Sequence, residues 1–342
     1  MKNVTLYQTA LRKITSAVEV DDRSFLITGA SGLIGSCLVD LLMTANEDGR
    51  HNHVYALGRS KEKLQKRFSG YEASVFFHII EQDVRTPLND ELHFDYIIHG
   101  ASNADPISYA KFPVETMLTN MNGGINILEY TRKHPGCKTE LLSTFEVYGK
   151  LDNDEYLESD AGIIDFNQIR SCYPESKRSM EILSKCYVDE YGANVNIGRL
   201  CSIYGPTMAT DDSKAHAQFM RNALDGKDIV LKSKGEQKRT YCYVLDAVTG
   251  ILSILFHGEK GEAYNISYEN SVVTIAELAQ VIASIAGRSV IFDLPSELEK
   301  KGFSKPQNCI LNNEKLRNLG WKGKYDIDKG VSECLTILGL QV

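Results

Sequence analysis

Phe25-Leu26-Ile27-Thr28-Gly29-Ala30-Ser31-Gly32-Leu33-Ile34-Gly35 joins a short apolar run to three glycines spaced G-x-x-G-x-x-G. A helical apolar pattern (Leu33, Ile34, Cys37, Leu38, Leu41, Leu42) begins at once. Strand, tight turn and helix in that order is the context in which such glycines cradle a dinucleotide. Glycine turns sharply and lets a ligand approach the backbone where a Cβ would stand. The helix start adds unpaired N–H groups and the positive end of its dipole, which suit a pyrophosphate. The stretch predicts a cofactor site built on Gly29, Ser31, Gly32, Leu33, Ile34 and Gly35.

Working outward, residues 53–57 (His-Val-Tyr-Ala-Leu) read as a second strand followed by Gly58-Arg59-Ser60. In NAD-binding units an acidic residue about 20 positions beyond the glycines takes the ribose 2′-hydroxyl, whereas an arginine accommodates the 2′-phosphate of NADP. No acid stands here, so NADP is favoured over NAD, with Arg59 reading the phosphate. Ser74 to Ile80 reads as a third strand, with Asp83 and Val84 beyond it at the adenine edge. Phe94 to His99 is a fourth, ending in Gly100-Ala101-Ser102. His99 has no acid near it in sequence and reads as structural. A long helix at Pro113 to Lys133, a fifth strand at Thr139 to Thr144, a helix at Tyr173 to Tyr191 and a sixth strand at Val195 to Leu200 continue the alternation.

Strands alternating with helices predict an α/β protein with a Rossmann-type doubly wound parallel sheet, ligands lying beyond the carboxyl ends of the strands. The chain divides into a helical extension (1–20), a dinucleotide-binding domain (21–200, with about 238–260 returning to it) and a smaller C-terminal α/β substrate lobe (201–342). In the extension, Leu6, Ala10, Ile14, Ala17 and Val18 suggest a short amphipathic helix docked on the main body. In the lobe, helices are expected near 213–225, 312–319 and 327–338 and strands near 229–232 and 239–243. Thr274-Ile275-Ala276-Glu277 has the form of a capping box.

The 342 residues carry a formal charge of −7 without a basic cluster, which argues against a nucleic-acid surface. No apolar run approaches the roughly 18 residues of a membrane span, and charges interrupt Met1 to Val20, unlike a secretory leader. The eight cysteines form no C-x-x-C pair, so they are expected to be reduced and buried, with no metal site, in a cytoplasmic protein.

Tyr173-Pro174-Glu175-Ser176-Lys177 sets a phenol and an ammonium at i and i+4, on one face of a helix. A free tyrosine titrates near 10, and a cation beside it favours the phenolate, which exchanges a proton with a substrate hydroxyl. Tyr325 and Lys329 repeat the spacing, but only Tyr173 follows the fifth strand, whose end carries a hydroxyl at Thr144.

These motifs, with Asn120 and Gly123, Ser143 through Gly149, Arg199, Tyr204-Gly205-Pro206 and Arg239 through Asp246, resemble the extended short-chain dehydrogenase/reductases. That group includes nucleotide-sugar epimerases, dehydratases and decarboxylases. Ala101-Ser102 through Thr116, Cys172 through Arg178 and Gly235 through Arg239 are most similar to UDP-glucuronate decarboxylases. The resemblance implies an NAD(P)-dependent enzyme that transiently oxidises a sugar carbinol, usually at C4, of a nucleotide-activated sugar. Tyr173 is then the base, Lys177 its partner and holder of the nicotinamide ribose, Thr144 the polarising hydroxyl and Glu146 the glutamate of the second step. Gly100, Ala101, Ser102, Asn120 and Ser143 join the cofactor residues. Glu146, Ser202, Arg239 and Tyr241 face the substrate, and a homodimer forms through helices 113–133 and 173–191 of each subunit.

Phe145 stands where dehydratases of the group carry an acid and decarboxylases a serine, so it departs from both patterns. A phenyl ring donates no proton, which disfavours 4,6-dehydration and leaves decarboxylase-like chemistry. The alternatives are a net NADPH-dependent reductase of a nucleotide-linked keto compound and a non-catalytic dinucleotide sensor.

Overall fold

The computed structural model describes residues 1–294 and 307–340; the remainder of the expected 201–342 lobe lies outside the described residues. In chain order the elements are α1 (Val4–Arg12), β1 (Ser24–Thr28), α2 (Leu33–Glu47), β2 (His53–Gly58), α3 (Lys61–Arg67), β3 (Phe77–Glu81) and β4 (Tyr96–His99). Then come α4 (Pro106–Lys111), α5 (Pro113–Lys133), β5 (Lys138–Thr144), β6 (Glu155–Tyr156), α6 (Cys172–Tyr191), β7 (Val195–Leu200) and β8 (Ser202–Tyr204). The chain continues with α7 (Ala215–Leu224), β9 (Ile229–Leu231), β10 (Lys238–Tyr243), α8 (Val244–His257), β11 (Ala263–Ile266), β12 (Val272–Thr274) and α9 (Ile275–Ala286). It closes with β13 (Val290–Phe292), β14 (Ile310–Leu311), α10 (Glu314–Arg317) and α11 (Ile327–Leu338).

A seven-stranded sheet in the order β11-β7-β5-β4-β1-β2-β3, parallel throughout, forms the centre. The strand order reverses between β1 and β4, the crevice where such sheets bind ligands. Helix α2 is buried along most of its length and packs with α8 on one face; α5 and α6 pack together on the other. The approach of α5 depends on glycine: a Cβ on Gly123 would stand 2.7 Å from Val84 Cγ1, and one on Gly124 would collide with Met180 of α6.

Beyond this sheet, β10 pairs with β8 in parallel and with β12 antiparallel. Thr274 and Glu277 form the expected capping box at the start of α9. The seventh sheet strand, β11, was not anticipated. It is only four residues long, and its Asn265 is polar although fully buried, accepting from the Tyr148 hydroxyl at 2.6 Å. In the N-terminal extension the helix forms, but its inward face differs: Tyr7, Ala10 and Leu11 are buried and Leu6 is exposed. The Tyr7 hydroxyl donates to Asp40 of α2 at 2.9 Å, and that bond, which apolar periodicity cannot reveal, sets the rotation.

Candidate functional site

The glycine turn lies at the end of β1, beside the end of β4. Gly29 has φ +67°, and a Cβ there would stand 2.8 Å from Gly100 O; one on Gly35 would be 2.9 Å from Ala30 Cα. Only a bare backbone fits, and it leaves a cradle. Gly32 caps α2 without a side-chain bond, Ser31 and Gly32 are exposed, and Leu33 and Ile34 are half-buried. The N–H groups of the first helical turn are thus open to an anion, and the residues fit a dinucleotide pyrophosphate. The Thr28 hydroxyl oxygen accepts from the Gly100 and Ala101 N–H groups, both at 3.2 Å, and lies 2.8 Å from His99 Nδ1. With that oxygen already accepting twice, the hydroxyl proton points to His99. The imidazole is therefore neutral with its proton on Nε2, the structural role expected of it, and burial followed by the Lys177 charge lowers its pKa to about 3.

The next loop is clamped to α6. Ser102 Oγ donates to Asn120 Oδ1 at 2.7 Å, and Asn120 Nδ2 donates to Ser176 Oγ at 2.8 Å. Asn120, expected on the cofactor, thus spends its amide joining the two walls of the crevice.

Strand β5 brings Thr144 to its carboxyl end. Thr144 and Tyr173 lie together there, both buried. Burial, then the Glu146 carboxylate, raises the Tyr173 pKa, while the Thr144 hydroxyl beside it works in the opposite direction. Lys177 Nζ donates to Leu142 O at 2.9 Å, two residues before Thr144 on the same strand. Burial lowers the Lys177 pKa to about 8, against the pull of Glu181. In this arrangement the ammonium is aimed at the strand end, and Thr144 is the group easing proton loss from Tyr173. Ser143 faces α6 one turn further along, where its Oγ donates to Glu181.

Two residues around Tyr173 were not foreseen. The Tyr109 ring stacks on that of Tyr173 at 5.2 Å and 10°, and its buried hydroxyl has no hydrogen-bond partner among the described residues. Burial, then Glu146, pushes the Tyr109 phenol up to about 12. Arg170 Nη1 lies 3.1 Å from Glu146 Oε2, with its guanidinium 5.7 Å above the Tyr109 ring. An aromatic in a short helix opened by Pro106 and an arginine three residues before Tyr173 carried little sequence signal, because both depend on loops folding back. The second tyrosine–lysine pair serves elsewhere: Tyr325 packs on Tyr243 at 4.8 Å and its N–H donates to Asp246.

From the other side come the β8 and β10 residues. Ser202 and Tyr241 are register partners on these strands, Ser202 half-buried and Tyr241 buried. The Arg239 guanidinium sits 5.9 Å above the Phe145 ring. Glu146 and Arg239 both lie close enough to perturb Cys309, so the loop after β5 and the start of β10 share one neighbourhood.

The NADP preference is overturned. Arg59 Nη1 is held by Glu115 Oε1 at 2.9 Å, and Asp83, bound by Arg85 Nη2 at 2.7 Å, also lies within reach of its field. The two arginines are balanced by two carboxylates, leaving little attraction for an extra phosphate. Val84 is a core contact beneath α5. Comparison with known proteins points the same way. Residues 25–267 match the model of the NAD dependent epimerase/dehydratase family. The chain is 33% identical over 309 residues to UDP-glucuronic acid decarboxylase 3 of Arabidopsis thaliana, covering 90% of this chain and 86% of the relative. It superposes on dTDP-glucose 4,6-dehydratase from Streptomyces venezuelae with a TM-score of 0.76 at 25% identity, covering 92% and 96% of the two chains. UDP-glucuronic acid 4-epimerase from Bacillus cereus gives 0.76 at 21% identity, covering 92% and 98%. NAD is the cofactor named with both structures. Among the described residues no helix is long and apolar enough to cross a membrane. Fold, glycine turn and sequence match agree, and the chain belongs to the NAD dependent epimerase/dehydratase family, whose members act on nucleotide-linked sugars.

Proposed function

We propose that this enzyme oxidises the C4 carbinol of a nucleotide-linked uronic acid transiently and releases the carboxylate from the resulting 4-keto sugar. The observation that carries the reading is the convergence of Thr144, Glu146, Tyr173 and Arg170 at the end of β5, one strand away from the crevice formed by the glycine turn. Bound NAD would supply the hydride acceptor for the oxidation and the hydride donor for the closing reduction. Gly29, Ser31, Gly32, Leu33, Ile34 and Gly35 hold its pyrophosphate, and Lys177 its nicotinamide ribose. Tyr173 removes the hydroxyl proton, and Thr144 hydrogen-bonds the same oxygen as its charge develops. Tyr109 and Arg170 offer a phenol and a guanidinium where a sugar carboxylate would lie, and Arg239 suits the diphosphate as a fork of donors. Ser202 and Tyr241 line the nucleotide side.

Residues 21–200 with 238–260 make the cofactor half in this reading, and 201–342 the substrate lobe. A homodimer through α5 and α6 would cover Val114, Met117, Leu118 and Ile182, apolar side chains exposed on those helices. The test is to incubate the protein with NAD and UDP-glucuronic acid and follow the sugar by mass spectrometry and NMR. Loss of carbon dioxide with a pentose product supports the reading. An epimer with the carboxylate retained, or no change, refutes decarboxylation.

A further inference from the structure

The chemistry at Tyr173 leaves unused a buried carboxylate on the same helix. Tyr173, Lys177 and Glu181 recur every four residues along α6, so they line one face. Glu181 is buried and lies on the side of Lys177 away from Tyr173. It is held by two strands at once: Ser143 Oγ of β5 donates to Oε1, and Arg199 of β7 meets it through Nε at 3.1 Å and Nη2 at 2.7 Å. Arg199 is itself fixed, with Nη1 donating to Glu158 O at 2.9 Å and its guanidinium 4.8 Å above the Tyr148 ring. Lys177 and Glu181 open onto one cavity of about 20 Å³, shared with His99, Asn120 and Ser143.

We propose that Glu181 is a positioning residue, tethered by Ser143 and Arg199, whose charge keeps the buried Lys177 ammonium protonated for its work at the cofactor ribose. The groups around Lys177 make the case. Its own helix brings Tyr173 and Glu181, β4 brings His99, which is neutral, and α5 brings Asn120, which is uncharged. Arg199 stands behind the carboxylate. Glu181 is the anion in this set, and without it a fully buried lysine would shed its proton into solvent. The tethers matter because a carboxylate free to swing toward water would screen itself. This assignment rests on the proposed role of Lys177, but part of its test does not.

Glu181→Gln removes the charge and keeps the shape. The alkaline limb of the kcat–pH profile, measured with UDP-glucuronic acid, should move toward acid by about one to two units, the effect of a unit charge roughly 6 Å away in a protein interior. A readout without activity uses folding. A lysine whose pKa is lowered in the native state adds stability as pH rises from its folded to its unfolded value. That window opens near 8 in the parent and should open one to two units lower in Glu181→Gln. A Lys177→Met protein should lack the window, with or without the same substitution. Should Glu181→Gln strand Arg199 and fail to fold, Glu181→Gln/Arg199→Leu removes both charges and should move both readouts in the same direction by a smaller amount, since the lost cation offsets part of the lost anion. Unchanged pH profiles and an unchanged stability window would overturn the assignment. If the parent protein turns over no nucleotide sugar, the proposed function falls while the stability window still decides the case for Glu181.

Discussion

Acidification should loosen the crevice through His99, and His99→Asn should prevent it. In the native protein the imidazole Nδ1 accepts from Thr28, whose oxygen in turn gathers the Gly100 and Ala101 N–H groups beside the glycine turn. Protonation would set two donors against each other. Burial holds the folded pKa near 3 against an ordinary 6.5. The unfolded chain therefore binds the extra proton first as pH falls below 6.5, and stability is lost progressively until about pH 3. The full gap of roughly 3.5 units corresponds to on the order of 5 kcal/mol, and about 2–3 kcal/mol of it is already gone at pH 4.5. Asparagine keeps an acceptor near Nδ1 and does not titrate. Urea unfolding at pH 7 and pH 4.5 gives the measurement: the fall in stability between them should be smaller in His99→Asn by about 2–3 kcal/mol. Asp246, whose folded pKa of about 6 acts with the opposite sign, is common to both proteins and cancels in the difference. Equal losses in parent and variant would refute the linkage and the tautomer on which it stands.

Three further outcomes follow from the same geometry. Tyr173→Phe should lower kcat by about 10²–10⁴-fold while calorimetry finds NAD affinity within twofold, the outcome required by the proposal that the phenol exchanges the substrate proton; a smaller loss would move the base elsewhere. Gly29→Ala, with φ +67° and a Cβ 2.8 Å from Gly100 O, should cost about 1–3 kcal/mol in thermal or urea unfolding and weaken NAD binding at least tenfold. Gly136→Ala, which meets nothing within 4 Å, is its control, expected within about 0.5 kcal/mol of the parent. Glu146→Gln removes a charge that raises the Tyr173 pKa, so the acidic limb of the activity profile should shift to lower pH even as turnover falls; an unmoved limb or a shift to higher pH would refute the assignment of that limb to the phenol beside Glu146.

What could be read in the residues, and what could not, divides by the distance over which a group acts. The glycine turn was legible because its cause is local: Gly29 needs a positive φ and Gly35 a bare Cα within six residues of each other. Helices α5 and α11 were read to the residue, since proline opens one and Asp326 caps the other. The six core strands came from apolar runs. β11 escaped because Asn265 breaks its run, and its burial is compensated by Tyr148, 117 residues away. Arg59 misled for the same reason. Its sequence neighbours supply no acid, but Glu115 arrives from the start of α5 and neutralises it.

The residues that were missed share a further property. Tyr109, Arg170 and Glu181 each gain meaning only through a partner that another element brings: the Tyr173 ring, the Glu146 carboxylate and the Ser143–Arg199 pair. Sequence spacing identifies groups that must lie on one helix face or in one turn, such as Tyr173 with Lys177. The environment that tunes them is assembled across β4, β5 and β7, where the parallel sheet stacks strand ends side by side. Burial lowers the Lys177 pKa to about 8 and raises that of Tyr173, disfavouring the charged form of each. Glu181 opposes the first effect and Thr144 the second. The setting of the Tyr-x-x-x-Lys spacing is therefore made as much by the ends of β5 and β7 as by the helix that carries it.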